Sequence, residues 1–209
     1  MSATLPLRLS ALRYLNTRPF LHGLNDLFQK DPITVNLGSP AECAADFFEG
    51  RADVALVSVG ALVGQPEVTV MEGYCIGAHE KVDSVFLVGH DEPEEMQVVY
   101  LNPESRTSNL LAQVLFKTYW KREVEFRTTT GDPMAHVGPE VGAIMIGDTA
   151  LKGRKTYKYA KDLVEAWHVH TGLPFTFAVW CAHPNAVPQG VIDRLRIGFR
   201  NGLRNLPQV

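Results

Sequence analysis

The residues best placed to bind or transform a small molecule are hydroxyls, amides and one guanidinium at the joints between strand-like and helix-like stretches. The densest group is Ser105-Arg106-Thr107-Ser108. It follows Val98–Leu101, an apolar run that reads as a buried strand. It opens a helical pattern in which Leu111, Val114, Leu115 and Thr118 share a face. A helix that starts just after a strand leaves its first backbone N–H groups without intrahelical partners, at the positive end of the dipole. Hydroxyls and a guanidinium there suit a carboxylate or a phosphate. The same residue types cap helices, so a plain cap at Ser105 or Thr107 is an equal reading. No glycine-rich loop ending in lysine is present, which argues against a nucleotide P-loop.

The other candidates sit at similar joints. Asn16 lies between a first strand, Leu7–Leu12, and a helix that Thr17 can cap, with Phe20, Leu24, Leu27 and Phe28 on one face. In an open α/β sheet ligands bind at that edge, though Asn16 also suits a turn or a side-chain cap. Ser58 closes a buried strand, Asp53–Val57. Ser84 opens the strand Ser84–Val88, where a polar edge residue is the plain alternative. Asp148 follows the buried strand Val141–Ile146 and reads as a helix cap after Gly147 or as a base. Thr176 lies in the aromatic stretch Leu173–Trp180, most of which is core. His168 and His170 are on different helical faces, and the remaining histidines lack ligand spacing. No GxSxG, HExxH, GxGxxG or paired-cysteine pattern occurs, so neither a metal nor a cofactor is expected.

The elements that must hold these residues alternate. Ile33–Leu37 is a second strand. Ser39-Pro40-Ala41-Glu42 is a capping box, Cys43, Phe47 and Phe48 form the apolar side of its helix, and Gly50 ends it. Strand, helix, strand, helix, strand points to a parallel sheet with crossovers. The pattern then changes to short strands, Val68–Met71, Tyr74–Ala78 and Ser84–Val88, punctuated by Gly73 and Gly77. A second alternating series follows, with a strand at Val124–Phe126 and a turn-rich loop at Thr128–Pro133. Lys152–Tyr159 is basic and reads as a solvated loop. Asp162-Leu163-Val164-Glu165 is another capping box, with Ala166, Trp167 and His170 inward and Gly172 at the end. Leu173–Trp180 returns to the first lobe. Pro188 starts a last helix with Ile192, Leu195, Phe199 and Leu203 inward. The expected organisation is a two-lobed α/β fold with a mixed sheet in each lobe and a central ligand cleft. Residues 1–83 and 181–209 make lobe one, and residues 84–180 make lobe two.

Composition narrows the function. The chain has 209 residues, enough for one large domain or two small lobes. Its net charge of −3 disfavours nucleic acid, whose phosphates demand a basic surface. No apolar run is long enough to span a membrane, and MSATLPLRLS lacks the basic start and apolar core of a signal peptide. Three cysteines without CxxC spacing fit buried thiols in a reducing cytoplasm. Oligomeric state is left open, a homodimer included. On the residues alone the chain is a two-lobed binder of a small anion.

Six ordered blocks sharpen this: RYLNTRPF, LVSVGAL, CIGAHEKVDSVFL, LNPESRTSNLLAQVLF, GAIMIGDTAL and DLVEAWHVHTGLPFTFAVW. Together they resemble the menaquinone-biosynthesis family of the futalosine route, over nearly the whole chain. The resemblance implies a fold like that of type 2 periplasmic binding proteins. It also implies loss of water from chorismate to give 3-[(1-carboxyvinyl)oxy]benzoate, a hydro-lyase reaction. The family's functional Asn and Ser correspond to Asn16 and Ser84. Ser105, Arg106, Thr107 and Ser108 would then grip a carboxylate, with Ser58, Asp148 and Thr176 also on the substrate. The sister enzyme, which cyclises dehypoxanthine futalosine, carries a catalytic His where this chain reads Ile146-Gly147-Asp148. A non-catalytic solute receptor is a further alternative, one that would need a signal peptide or lipid anchor. Family members usually continue well beyond the point where this chain stops, with further helices packed on the first lobe, so the chain is either a fragment or lacks those segments.

Overall fold

The computed structural model describes residues 6–25, 33–65, 67–184 and 187–206. Two compact units emerge, Met1–Ile76 with Ala178–Val209, and Gly77–Phe177. In chain order the first contributes β1 (Leu7–Leu12), α1 (Arg18–Asn25), β2 (Ile33–Gly38), α2 (Pro40–Phe48), β3 (Val54–Ser58), α3 (Val59–Leu62) and most of β4 (Thr69–Ala78). The second holds β5 (Val85–Gly89), β6 (Val98–Tyr100), α4 (Arg106–Thr118), β7 (Glu125–Arg127), β8 (Val141–Ile146), α5 (Gly147–Gly153), β9 (Tyr159–Asp162) and α6 (Leu163–Thr171). β10 (Phe175–Ala182) leads back to the first unit, which α7 (Gln189–Arg204) completes.

The first unit is built on a five-stranded sheet in the order β2-β1-β3-β10-β4. β1 runs parallel to β2 and β3, and β10 runs antiparallel to β3. β3 is apolar from Val54 to Val57, as suits a strand covered on both faces. Val54 and Leu56 join Leu9, Phe20, Trp180 and Phe199 on one side, and Ala55 and Val57 join Phe47 and Cys181 on the other. The capping box at Ser39 forms as read: the Ser39 hydroxyl accepts from Glu42 N and the Glu42 carboxylate accepts from Ser39 N. Gly50 follows the helix at φ 72°, the left-handed conformation that glycine takes at least cost.

The second unit repeats the plan with a sheet ordered β7-β6-β8-β5-β9. β6 is parallel to β7 and β8, and β5 is antiparallel to β8 and β9. β5 is buried on both faces, Val85 and Leu87 toward one cluster and Phe86 and Val88 toward the other. The architecture is thus α/β with a mixed sheet in each unit.

Several expectations need correction. The two short strands before and after Gly73 are one continuous strand, β4, in which Gly73 takes a φ of 91°. α4 buries Thr107, Ser108, Leu111, Ala112, Leu115 and Phe116. Val114 and Thr118 face outward, since small polar residues at the first turn rotate the buried stripe. Thr17 does not cap α1: its hydroxyl is buried and has no hydrogen-bond partner among the described residues. Lys152–Tyr159 is not a plain loop, for it ends α5, forms a 3-10 turn and begins β9. Asp162 caps α6, but Glu165 pairs with Lys161 instead of closing the box. His170 and Leu203 are exposed. Leu27 and Phe28 lie outside the described residues.

Candidate functional site

In the second unit the strand directions bring most of the candidate residues to one sheet edge. β6 and β8 are parallel and end there, at Tyr100 and Ile146. β5 runs the other way, so its start meets the end of β8: Val85 pairs with Ile146, and Gly147 N donates to Ser84 O at 2.8 Å. Ser84 therefore sits beside the first residues of α5, including Asp148. The cap position of α5 is Ile146, with no side-chain cap, so Asp148 is not the helix cap. Asp148 stands exposed in the first turn.

The four residues at the start of α4 divide into two pairs. The Ser105 hydroxyl accepts from Ser108 N at 3.2 Å and donates to Ser108 Oγ at 2.8 Å. Ser105 thus caps the helix, one of the two readings open from its type. Ser108 is 1% exposed and Thr107 4% exposed, and the Thr107 hydroxyl donates to Phe177 O at 3.4 Å. Arg106 is exposed and Ser105 half-buried. Thr176, half-buried, precedes Phe177 and so lies next to the strand segment that receives Thr107.

The loop that feeds α4 is fixed by two asparagines. Asn102 N donates to Asn109 Oδ1 at 2.9 Å, and Asn109 Nδ2 donates back to Asn102 O at 2.8 Å. Asn102 Nδ2 also reaches Ile144 O on β8 at 3.2 Å, and its Oδ1 accepts from Glu104 N. The helix start is thereby tied to the sheet edge. A cavity of about 210 Å³ opens there, lined in part by Asn102, Glu104, Asp132, Met145 and Thr149. It has two carboxylates and no basic side chain, so it does not suit an anion.

Ser84 is supported from behind. Asp162 is 5% exposed. Its Oδ2 accepts from Val82 N at 3.0 Å and Asp83 N at 2.7 Å, while its Oδ1 accepts from Val164 N and Glu165 N of α6. Arg154 Nη1 donates to Asp83 O at 3.2 Å and to Asp83 Oδ1 at 2.9 Å. Its guanidinium lies 4.9 Å from the centre of the Phe86 ring. The hydrogen bond from Arg154, followed by that from Lys81, holds the Asp83 carboxyl below the usual carboxylate range. None of Asn102, Asp83, Arg154 or Asp162 was singled out from the sequence for this role. Only the local cap of Asp162 carried a signal.

In the first unit Asn16 follows the carboxyl end of β1, and Ser58 is the last residue of the adjacent parallel strand β3. Asn16 is exposed in a 3-10 turn, Leu15–Thr17, that leads straight into α1. Ser58 is 9% exposed and holds the cap position of α3 without a side-chain cap bond. Among the described residues no group of three or more His, Cys, Asp or Glu is placed to hold a metal. No helix among them is long and apolar enough to cross a membrane.

The sequence profile of a family described as menaquinone biosynthesis matches residues 7–206. A chorismate dehydratase of Thermus thermophilus is 27% identical over 223 residues, covering 98% of this chain and 80% of that protein. A chorismate dehydratase of Campylobacter jejuni is 28% identical over 184 residues, covering 87% of this chain and 66% of that protein. Among solved structures, a Candida albicans gene product described as exhibiting the generic periplasmic binding protein fold superposes with a TM-score of 0.64. The two are 10% identical over 98% of this chain and 72% of that one, a likeness of fold alone.

Proposed function

The chain belongs to the menaquinone biosynthesis family, and we propose that it is a carbon–oxygen lyase that removes water from chorismate to give 3-[(1-carboxyvinyl)oxy]benzoate. The observation that carries this reading is a family match over residues 7–206 together with two relatives of that one name.

Chorismate has two carboxylates and a ring one elimination short of aromatic. The reaction breaks the C–H bond at the ring carbon bearing the enolpyruvyl ether. Its electron pair becomes the new ring double bond as the neighbouring C–OH bond breaks, and the hydroxide leaves with a proton as water. Aromatisation drives the step, so the protein's task is to hold the substrate and assist the leaving group. Arg106 and the start of α4 are assigned to one carboxylate, Arg106 through its exposed guanidinium. Ser105 and the Ser108 hydroxyl it engages keep that helix start in shape, and Thr107 ties it to the Phe177 carbonyl. Asn16 and Ser84 are assigned to orienting the substrate and aiding departure of the hydroxyl, with Ser58, Asp148 and Thr176 as further substrate contacts. The ring proton goes to the side-chain carboxylate of the substrate itself, held close to the ring, and is passed on to the departing hydroxide, so that one H and one OH leave as water. The turn at Ile146-Gly147-Asp148 has no imidazole, which favours dehydration over the cyclisation of the sister enzyme.

The test is purified protein with chorismate, resolved by chromatography with mass detection. A product lighter by one water is expected, and Arg106→Ala is expected to raise KM about tenfold or more, as loss of a charge-assisted carboxylate contact does. Unchanged chorismate would refute the reading.

A further inference from the structure

We propose that Asp83 and Arg154 are positioning residues that fix the peptide entering Ser84, while Gly147 N holds the peptide leaving it. The inference rests on the reading of Ser84 as a residue that acts on the substrate. Asp83 has φ 59°, in the left-handed region that a non-glycine residue enters only when its surroundings demand it. The surroundings here supply that demand from three directions. The buried Asp162 carboxylate takes the N–H groups of Val82 and Asp83. Arg154 takes the Asp83 carbonyl and its carboxylate with one nitrogen. Gly147 N takes the Ser84 carbonyl. The peptide before Ser84 and the peptide after it are both held.

Two of the three holding groups, Gly147 and Arg154, come from the two ends of one short helix, and the third, Asp162, caps α6. Gly147 opens α5 and Arg154 follows its last residue. About two turns of helix separate them. α5 also carries Asp148 in its first turn. The arrangement therefore fixes Ser84 relative to α5, and packing of the guanidinium on Phe86, two residues beyond Ser84, sets the angle of approach. A displacement of about 1 Å at a group that meets the reacting atoms can cost about a hundredfold in rate. Asparagine can keep both the left-handed backbone and an acceptor at position 83, whereas a β-branched residue can keep neither.

The experiment compares Arg154→Gln, Asp83→Asn and Asp83→Val with the parent on chorismate, together with amide hydrogen exchange at Gly147. Arg154→Gln and Asp83→Val are expected to lower kcat about tenfold or more in the folded fraction with KM within about twofold, Arg154→Gln with a thermal midpoint near that of the parent and Asp83→Val with a lowered one. Asp83→Asn is expected to stay within about twofold of the parent. Exchange at Gly147 N–H is expected to speed up in Arg154→Gln and Asp83→Val alone. A parental kcat and unchanged Gly147 protection in Arg154→Gln would overturn the clamp. So would a loss of kcat that merely tracks a loss of folded protein. If the parent itself fails to turn over chorismate, the dehydratase reading falls, and exchange alone decides: lost protection in Arg154→Gln supports the clamp and retained protection overturns it.

Discussion

α1 and α7 meet at glycines, and one methyl group placed there should open the first unit. A Cβ on Gly23 would stand 2.5 Å from Gly202 N and 2.8 Å from the Gly198 carbonyl carbon. Ordinary Cβ contacts begin near 3.4 Å, so the helices would have to part by about 1 Å. Backbone opposes backbone at this crossing, and no flexible side chain can yield. Overpacking of this kind costs about 3 kcal/mol at the upper end of its usual range. The helix propensity gained on replacing glycine returns about 1 kcal/mol. The opened gap also weakens contacts of Phe20, Leu24, Leu195 and Phe199, all buried at this interface. Gly23→Ala is therefore expected to lose about 2–3 kcal/mol in chemical denaturation. Gly190→Ala, on the same α7, is the control, because a Cβ there meets nothing within 4 Å. It should be neutral or stabilising by up to about 1 kcal/mol. Because the turn holding Asn16 runs directly into α1, Gly23→Ala should also lower turnover of chorismate in the folded fraction. A Gly23→Ala protein as stable as the parent would refute the close-packing argument.

Ser105→Ala should cost about 1–2 kcal/mol in denaturant, from the lost α4 cap and the Ser108 hydroxyl left without its donor, and Ser105→Asp should recover most of it. Burial tends to raise the Asp46 carboxyl, but hydrogen bonds from Asn36, Arg51 and Ser10 outweigh it and bring it below its ordinary value. The stability this supplies is complete above the ordinary aspartate range and is lost as pH falls through the lowered native value. Asp46→Asn should therefore flatten the acid limb of a stability–pH profile. Burial pushes the Cys181 thiol up to about 11 and also raises Cys43, whereas Cys75 is exposed. Alkylation near neutral pH should label Cys75 in the native protein, and Cys43 and Cys181 only after denaturation.

What the sequence disclosed depended on how local the cause was. The Ser39–Glu42 box and the positive φ at Gly50 involve neighbours within one turn, and both were legible. β1 and β8 were legible to the residue, β1 from its alternation and β8 from an apolar run that ends at Gly147. α4 was placed correctly but rotated, because its buried stripe includes Thr107, Ser108 and Ala112, which carry little apolar signal. β9 was missed because Tyr159–Asp162 includes Lys161, whose ammonium pairs with Glu165 while its backbone pairs with β5. The supports of Ser84 were beyond reach for another reason. Asp162 and Arg154 act on residues about seventy to eighty positions away in the chain. Only the antiparallel pairing of β5 with β8 and β9 brings them together.

The most direct test of the central claim is turnover of chorismate by the parent protein beside Asn16→Ala and Ser84→Ala. Formation of 3-[(1-carboxyvinyl)oxy]benzoate by the parent is expected, with kcat reduced about a hundredfold or more in each variant at unchanged thermal stability. Full activity in both variants would contradict the assignment of the site, and a parent that leaves chorismate intact would contradict the assignment of the reaction.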